Sequence, residues 1–110
     1  MELLEKLNEI EKNQMKVIKG LRKNHEFSKL VQTVAYDNDA SVREKCSEKI
    51  MQQMGISEAI EEVLDDYNHK FVLASVYELE GCYYGLTFVA IWIDNDAIKT
   101  RSLQFMYCDN

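Results

Sequence analysis

The chain has 110 residues, of which 46% are hydrophobic and 29% charged, with no proline and three cysteines. That balance fits one folded domain over residues 1–110 with a core of its own, excludes intrinsic disorder, and leaves no apolar run long enough for a membrane-spanning helix. A net charge of −6 argues against direct nucleic-acid binding.

The first segment carries apolar residues at Leu3, Leu7, Ile10, Val17 and Leu21, with Gln14 the one polar member of a heptad spacing. Leu4 and Ile18 widen this stripe, and Gly20 weakens its end. The spacing predicts a long helix that either packs on its own domain or offers a self-associating seam, in which case a homodimer is expected. Phe27, Leu30, Val31 and Val34 predict a second, short helix, which Asp37-Asn38-Asp39 interrupts as a turn. A third helix is expected from Ser41, whose hydroxyl would cap it while Glu44 reaches back, with Val42, Cys46, Ile50 and Met54 facing inward and Gly55 as the stop. Ser57 is the expected cap of a fourth helix running to about Asn68, with Ile60, Val63, Leu64 and Tyr67 buried.

After Lys70 the apolar period changes from 3.6 to two. Phe71–Glu80 is predicted as one strand, Cys82–Ile93 as a second and Ala97–Cys108 as a third. The second is apolar on both faces, which marks it as central. Strands joined in sequence by short turns form an antiparallel meander. The predicted fold class is therefore α+β, about four N-terminal helices (residues 2–68) packed on one face of a C-terminal three-stranded sheet (residues 70–108). The other face of the sheet would stay partly open.

Charge is unevenly spread. Residues 1–23 hold four acids and six bases, whereas residues 57–96 hold nine acids and one base, Lys70. Within that acidic stretch Glu58, Glu61, Glu62, Asp65 and Asp66 recur at helical spacing with no base among them, so the carboxylates share one face. Either this is a solvated surface or it is a docking face for a basic partner protein. A divalent cation is a poor fit, because one straight helix rarely surrounds an ion alone. Glu78, Glu80, Asp94 and Asp96 add acidity at strand ends and a turn. Asp-Asn-Asp-Ala occurs twice, at 37–40 and 94–97, and both copies read as polar turns rather than calcium loops, since Val42 stands where such a loop needs glycine. Tyr77, Tyr83, Tyr84, Trp92 and Tyr107 supply core or cross-strand contacts, or an aromatic binding face.

Catalytic chemistry has little to draw on. His25 and His69 are the only imidazoles, and His69 is expected to meet free carbonyls at a helix end. Cys82 or Cys108 could pair with His69 only through the fold. No phosphate loop, nucleophile elbow or zinc-helix motif occurs, so no catalytic residue, metal ligand or cofactor is assigned. Three cysteines without CxxC spacing are expected to be reduced thiols, Cys46 and Cys82 packed as small hydrophobes. Met1-Glu2-Leu3-Leu4-Glu5 lacks the regions of a secretory signal, which points to the cytoplasm, or to the host-cell cytoplasm if the gene is a phage's.

These features favour a non-enzymatic acidic protein-binding module, an inhibitor or regulator that docks through Glu58, Glu61, Glu62, Asp65 and Asp66 on a basic, nucleic-acid-binding type of surface. One alternative is an assembly protein self-associating through the N-terminal seam. Another is a small enzyme or ligand-binding domain that uses the open sheet face.

Overall fold

The computed structural model describes residues 2–108. Four helices precede three strands: α1 (Leu3–Gly20), α2 (His25–Tyr36), α3 (Ala40–Met54), α4 (Ile56–Leu64), β1 (His69–Glu78), β2 (Tyr83–Asp94) and β3 (Ala97–Cys108). The sheet is antiparallel in the order β1-β2-β3. The α+β organisation and the central position of the doubly apolar strand are as the sequence predicts.

Helix boundaries depend on caps, and two differ from expectation. Asp39, not Ser41, caps α3. The Asp37 carboxylate accepts from the Asp39 N–H at 2.8 Å, an Asx turn that holds Asp39 extended. The Asp39 carboxylate then accepts from the Ser41 and Val42 N–H groups at 2.9 and 3.4 Å, leaving Ser41 inside the first turn. Gly55, not Ser57, separates α3 from α4. Its φ of 70° ends α3 in the left-handed region, and α4 starts at the next residue.

The fourth helix also ends earlier than predicted, at Leu64 rather than near Asn68. Two aspartates at the negative end of the helix dipole disfavour another turn. The Tyr67 N–H closes back on the Leu64 carbonyl at 2.9 Å, and the Asn68 carbonyl already accepts from the Ile93 N–H at 3.0 Å. The sheet ladder therefore takes the chain from that point. Between β2 and β3, Asn95 and Asp96 both adopt positive φ (50° and 64°), the two-residue turn whose twist suits a hairpin.

The core lies between the helices and one face of the sheet. From β2 it takes Tyr84, Leu86, Phe88, Ala90 and Trp92, and from β3 Leu103, Phe105 and Tyr107, all buried. Leu7, Ile10 and Ile18 of α1, Phe27 and Val31 of α2, Ile50 and Met54 of α3, and Ile56, Ile60 and Leu64 of α4 meet them. The Tyr107 ring packs edge-on to Phe27 at 4.9 Å, and its hydroxyl donates to the Leu21 carbonyl at 3.0 Å with Ser28 Oγ 2.9 Å away. Alongside β3, Arg101 pairs with Glu11 of α1 at 3.0 Å, and the other Glu11 carboxylate oxygen accepts from the Gln104 backbone N–H at 3.3 Å.

Candidate functional site

The predicted acidic face is present on the surface of the helical layer. Ile56, Ile60 and Leu64 fix the rotation of α4 by entering the core. That rotation turns Glu58, Glu61 and Glu62 outward, and Asp65 and Asp66 continue the run on the turn that follows. All five are exposed, and no ion pair or hydrogen bond engages any of their side chains among the described residues. Lys6 of α1 lines a shallow groove with Glu62 without pairing to it. Against a Debye length of about 8 Å in physiological salt, neighbouring carboxylates on one short helix act as a block of negative potential.

The N-terminal seam is used inside the chain. Leu7, Ile10 and Gln14 are buried together with Ile18, Leu3 and Leu21 are half-buried, and only Val17 of the six is exposed. The buried set follows the 3.6 period of a helix packed on a globular core, here α4 and β3, and leaves no heptad stripe for a second helix. Gln14 enters the core with its Oε1 unpartnered among the described residues.

Among the described residues no helix covers the far face of the sheet. Strand pairing places Val72 and Tyr77 of β1, Tyr83, Val89, Ile91 and Ile93 of β2, and Ile98 and Met106 of β3 on it. Tyr77, Tyr83, Ile93, Ile98 and Met106 are among the exposed large hydrophobic residues of the chain. Lys70 alone is charged among the described residues of this face. The Tyr77 ring lies over Gly85, where a Cβ would overlap the ring, so this glycine makes room for an aromatic lid. Of the five predicted aromatics, Tyr84, Trp92 and Tyr107 are core, while Tyr77 and Tyr83 belong to the open face.

The remaining candidates separate in space. The His69 ring Nδ1 lies 3.0 Å from the Tyr67 carbonyl, at the end of the sheet where His69 faces Trp92. Cys82 lies at the opposite end, in the turn before β2, so the Cys–His pairing weighed from sequence does not form. Cys82 meets Cys108 instead, with the two sulfurs 3.2 Å apart. All three cysteines are half-buried, so neither Cys46 nor Cys82 is fully enclosed as expected. Local spacing gave no sign of this pair; it follows from the strand register, which sets Tyr83 opposite Cys108.

Glu78 and Glu80 also part, because β1 ends at Glu78. The Tyr36 hydroxyl donates to Glu78 Oε2 at 2.5 Å and lies 3.4 Å from the Tyr84 hydroxyl. The bond to Glu78, then that to Tyr84, holds the Tyr36 hydroxyl protonated well above the usual phenol range. Asp94 pairs with Lys99 at 3.2 Å.

Among the described residues no group of three His, Cys, Asp or Glu side chains converges to hold a metal ion, and no helix is long and apolar enough to cross a membrane. Comparison with family models, curated proteins and solved structures finds no match to this chain.

Proposed function

We propose that this domain is a non-enzymatic protein-binding module, an inhibitor or regulator that docks its acidic α4 face on a basic surface of a partner protein. The observation that carries this reading is the absence of any ion pair to Glu58, Glu61, Glu62, Asp65 and Asp66 among the described residues, although all five are exposed. Like charges at helical spacing cost about 0.2–0.5 kcal/mol per pair, and a partner's Lys or Arg side chains relieve that cost on docking. A single-signed face also accelerates encounter with an oppositely charged cleft. The test is affinity capture from the native host at low and high salt, followed by titration of the captured protein against the wild type and a variant with Glu61, Glu62, Asp65 and Asp66 changed to Lys. A basic partner, salt-sensitive binding and loss of binding in the variant are expected. Unchanged affinity in the variant refutes the reading.

Self-assembly is the second reading, and the observation favouring it is the open sheet face rather than the N-terminal seam. Strands of 10–12 residues at ~3.3 Å per residue and ~4.8 Å between strands give roughly 500 Å² per copy, so two copies meeting face to face bury about 1,000 Å², the lower bound for a specific interface. A nearly uncharged face is complementary to itself. Sedimentation of the wild type beside Ile98→Glu distinguishes the two: a dimer that the substitution dissolves supports assembly, and a monomer in both removes it.

A further inference from the structure

The helical layer covers the three strands unequally. The inward apolar side chains of β2 and, from β3, Leu103, Phe105 and Tyr107 are buried, whereas Phe71, Leu73 and Val76, the inward apolar side chains of β1, are only half-buried. Beside them runs a groove of about 590 Å³ between β1 and α3. Every residue from Lys70 to Val76 lines it, whichever sheet face its side chain occupies. A surface touched by consecutive residues of a strand is the strand's edge, so the groove opens onto backbone.

The ladder fixes which backbone groups point there. The Ile93 N–H donates to the Asn68 carbonyl, and the Leu79 N–H to the Tyr83 carbonyl. Residues alternate along a strand between facing the neighbour and facing away. With the bulge between Leu73 and Ser75, that phase turns Lys70, Val72, Ser75 and Tyr77 toward β2. The N–H and C=O groups of Phe71, Leu73 and Val76 turn outward, and no hydrogen bond reaches them among the described residues. The opposite edge of the sheet differs, because Glu11 of α1 takes the Gln104 N–H and pairs with Arg101. One edge is guarded and the other is left with its donors and acceptors aligned.

We infer that this groove is a binding site for an extended peptide segment of a partner protein, which adds to β1 as a fourth strand beneath α3. Only an extended chain presents donors and acceptors at the spacing that Phe71, Leu73 and Val76 require. Its alternate side chains reach a floor made by Val34, Met51 and the half-buried β1 residues, completing the core where the helices stop short. Seven residues of β1 border the groove, a length of about 20 Å that a segment of similar length matches. Glu44 and Glu48 on the α3 wall are exposed, while Arg43 is engaged with the Asp37 carbonyl at 2.7 Å. Lys70, also exposed, borders the same groove near the start of β1, so the lining favours a Lys or Arg beside the α3 wall and an Asp or Glu where the segment passes Lys70. Two-fold pairing of β1 with β1 of a second copy is the competing occupant, and it is read in the test as β1 amides protected without added peptide. This site lies apart from the α4 carboxylates and does not depend on their role.

The test selects binders to the full-length chain from a library of random twelve-residue peptides and maps them by backbone amide NMR. Enriched peptides are expected to alternate apolar residues, to shift the Phe71, Leu73 and Val76 amides, and to protect them from hydrogen exchange. Glu48→Trp, on the exposed wall, fills the groove and should weaken the selected peptide at least tenfold, while Ile98→Lys on the open face leaves it unchanged. Failure to enrich any peptide, shifts confined to other residues, or β1 amides already protected by dimerisation each overturn the assignment. Amide mapping on the wild type decides the matter even if Glu48→Trp folds poorly.

Discussion

Replacing Gln14 by Met should stabilise the domain. Gln14 sits in the core at 7% exposure, and its Oε1 has no hydrogen-bond partner among the described residues. A buried acceptor stripped of water and left unpaired costs about 1–3 kcal/mol. Met has nearly the same length and helix propensity and adapts to irregular core space, so the exchange removes the cost with little new strain. Unfolding entropy of about 2.1 cal/mol/K per residue converts a gain of that size into a rise in Tm of about 4–13 °C for a chain of this length. The assay is urea and thermal unfolding followed by circular dichroism, with the urea midpoint rising and the m-value unchanged. Gln14→Ala is the companion variant. It also deletes the acceptor but leaves a cavity, and it should fall below Gln14→Met by about 2–4 kcal/mol. A Met variant no more stable than the wild type refutes the reasoning and shows that the amide is satisfied within the fold.

Oxidised glutathione should convert the Cys82 and Cys108 thiols to one intramolecular disulfide, the two lost hydrogens passing to two molecules of reduced glutathione. Titratable thiols then fall from three to one, Cys46 remaining, with a gain of about 2–4 kcal/mol from the closed loop. Retention of all three thiols, or a disulfide between chains, contradicts the placement of the pair. For Tyr36, the unfolded chain loses the phenol proton near the ordinary value of 10.0 and the folded chain only above it. The stabilisation from this group is therefore complete below that pH and declines as pH rises past it. Tyr36→Phe should flatten this alkaline decline in unfolding experiments and remove one tyrosine that ionises above the ordinary phenol range in an absorbance titration; an identical alkaline profile counts against the Glu78 bond.

What the sequence revealed and what it hid divide along a physical line. The change of period after Lys70 and the doubly apolar run through Phe88 and Trp92 are properties of consecutive residues, so the sheet and its central strand were legible. The acidic face was legible for the same reason. Each cap lies two residues before the expected one because Asp39 and Ser41, like Gly55 and Ser57, are competent neighbours, and backbone geometry upstream chooses between them. In α1 the positions of a heptad and of an ordinary amphipathic helix nearly coincide over so short a length, and only packing against α4 and β3 settles which is used. The Cys82–Cys108 approach, the Tyr36–Glu78–Tyr84 cluster and the edge groove join residues far apart in the chain. They are set by register and by where α3 stops, which no local pattern encodes.

The bonds from Tyr107 to the Leu21 carbonyl and from Arg101 to Glu11 tie the last strand to the first helix and the turn after it. During synthesis at about 5–20 residues per second, α1 is made first; α4 can cover part of its apolar stripe, and the rest waits for β3. The helices cannot close over a core whose floor, β2 and β3, has not yet left the ribosome. Folding of this domain is thus deferred until β3 is available, and in that interval Leu7, Ile10 and Ile18 form a waiting hydrophobic surface of the kind that chaperones hold.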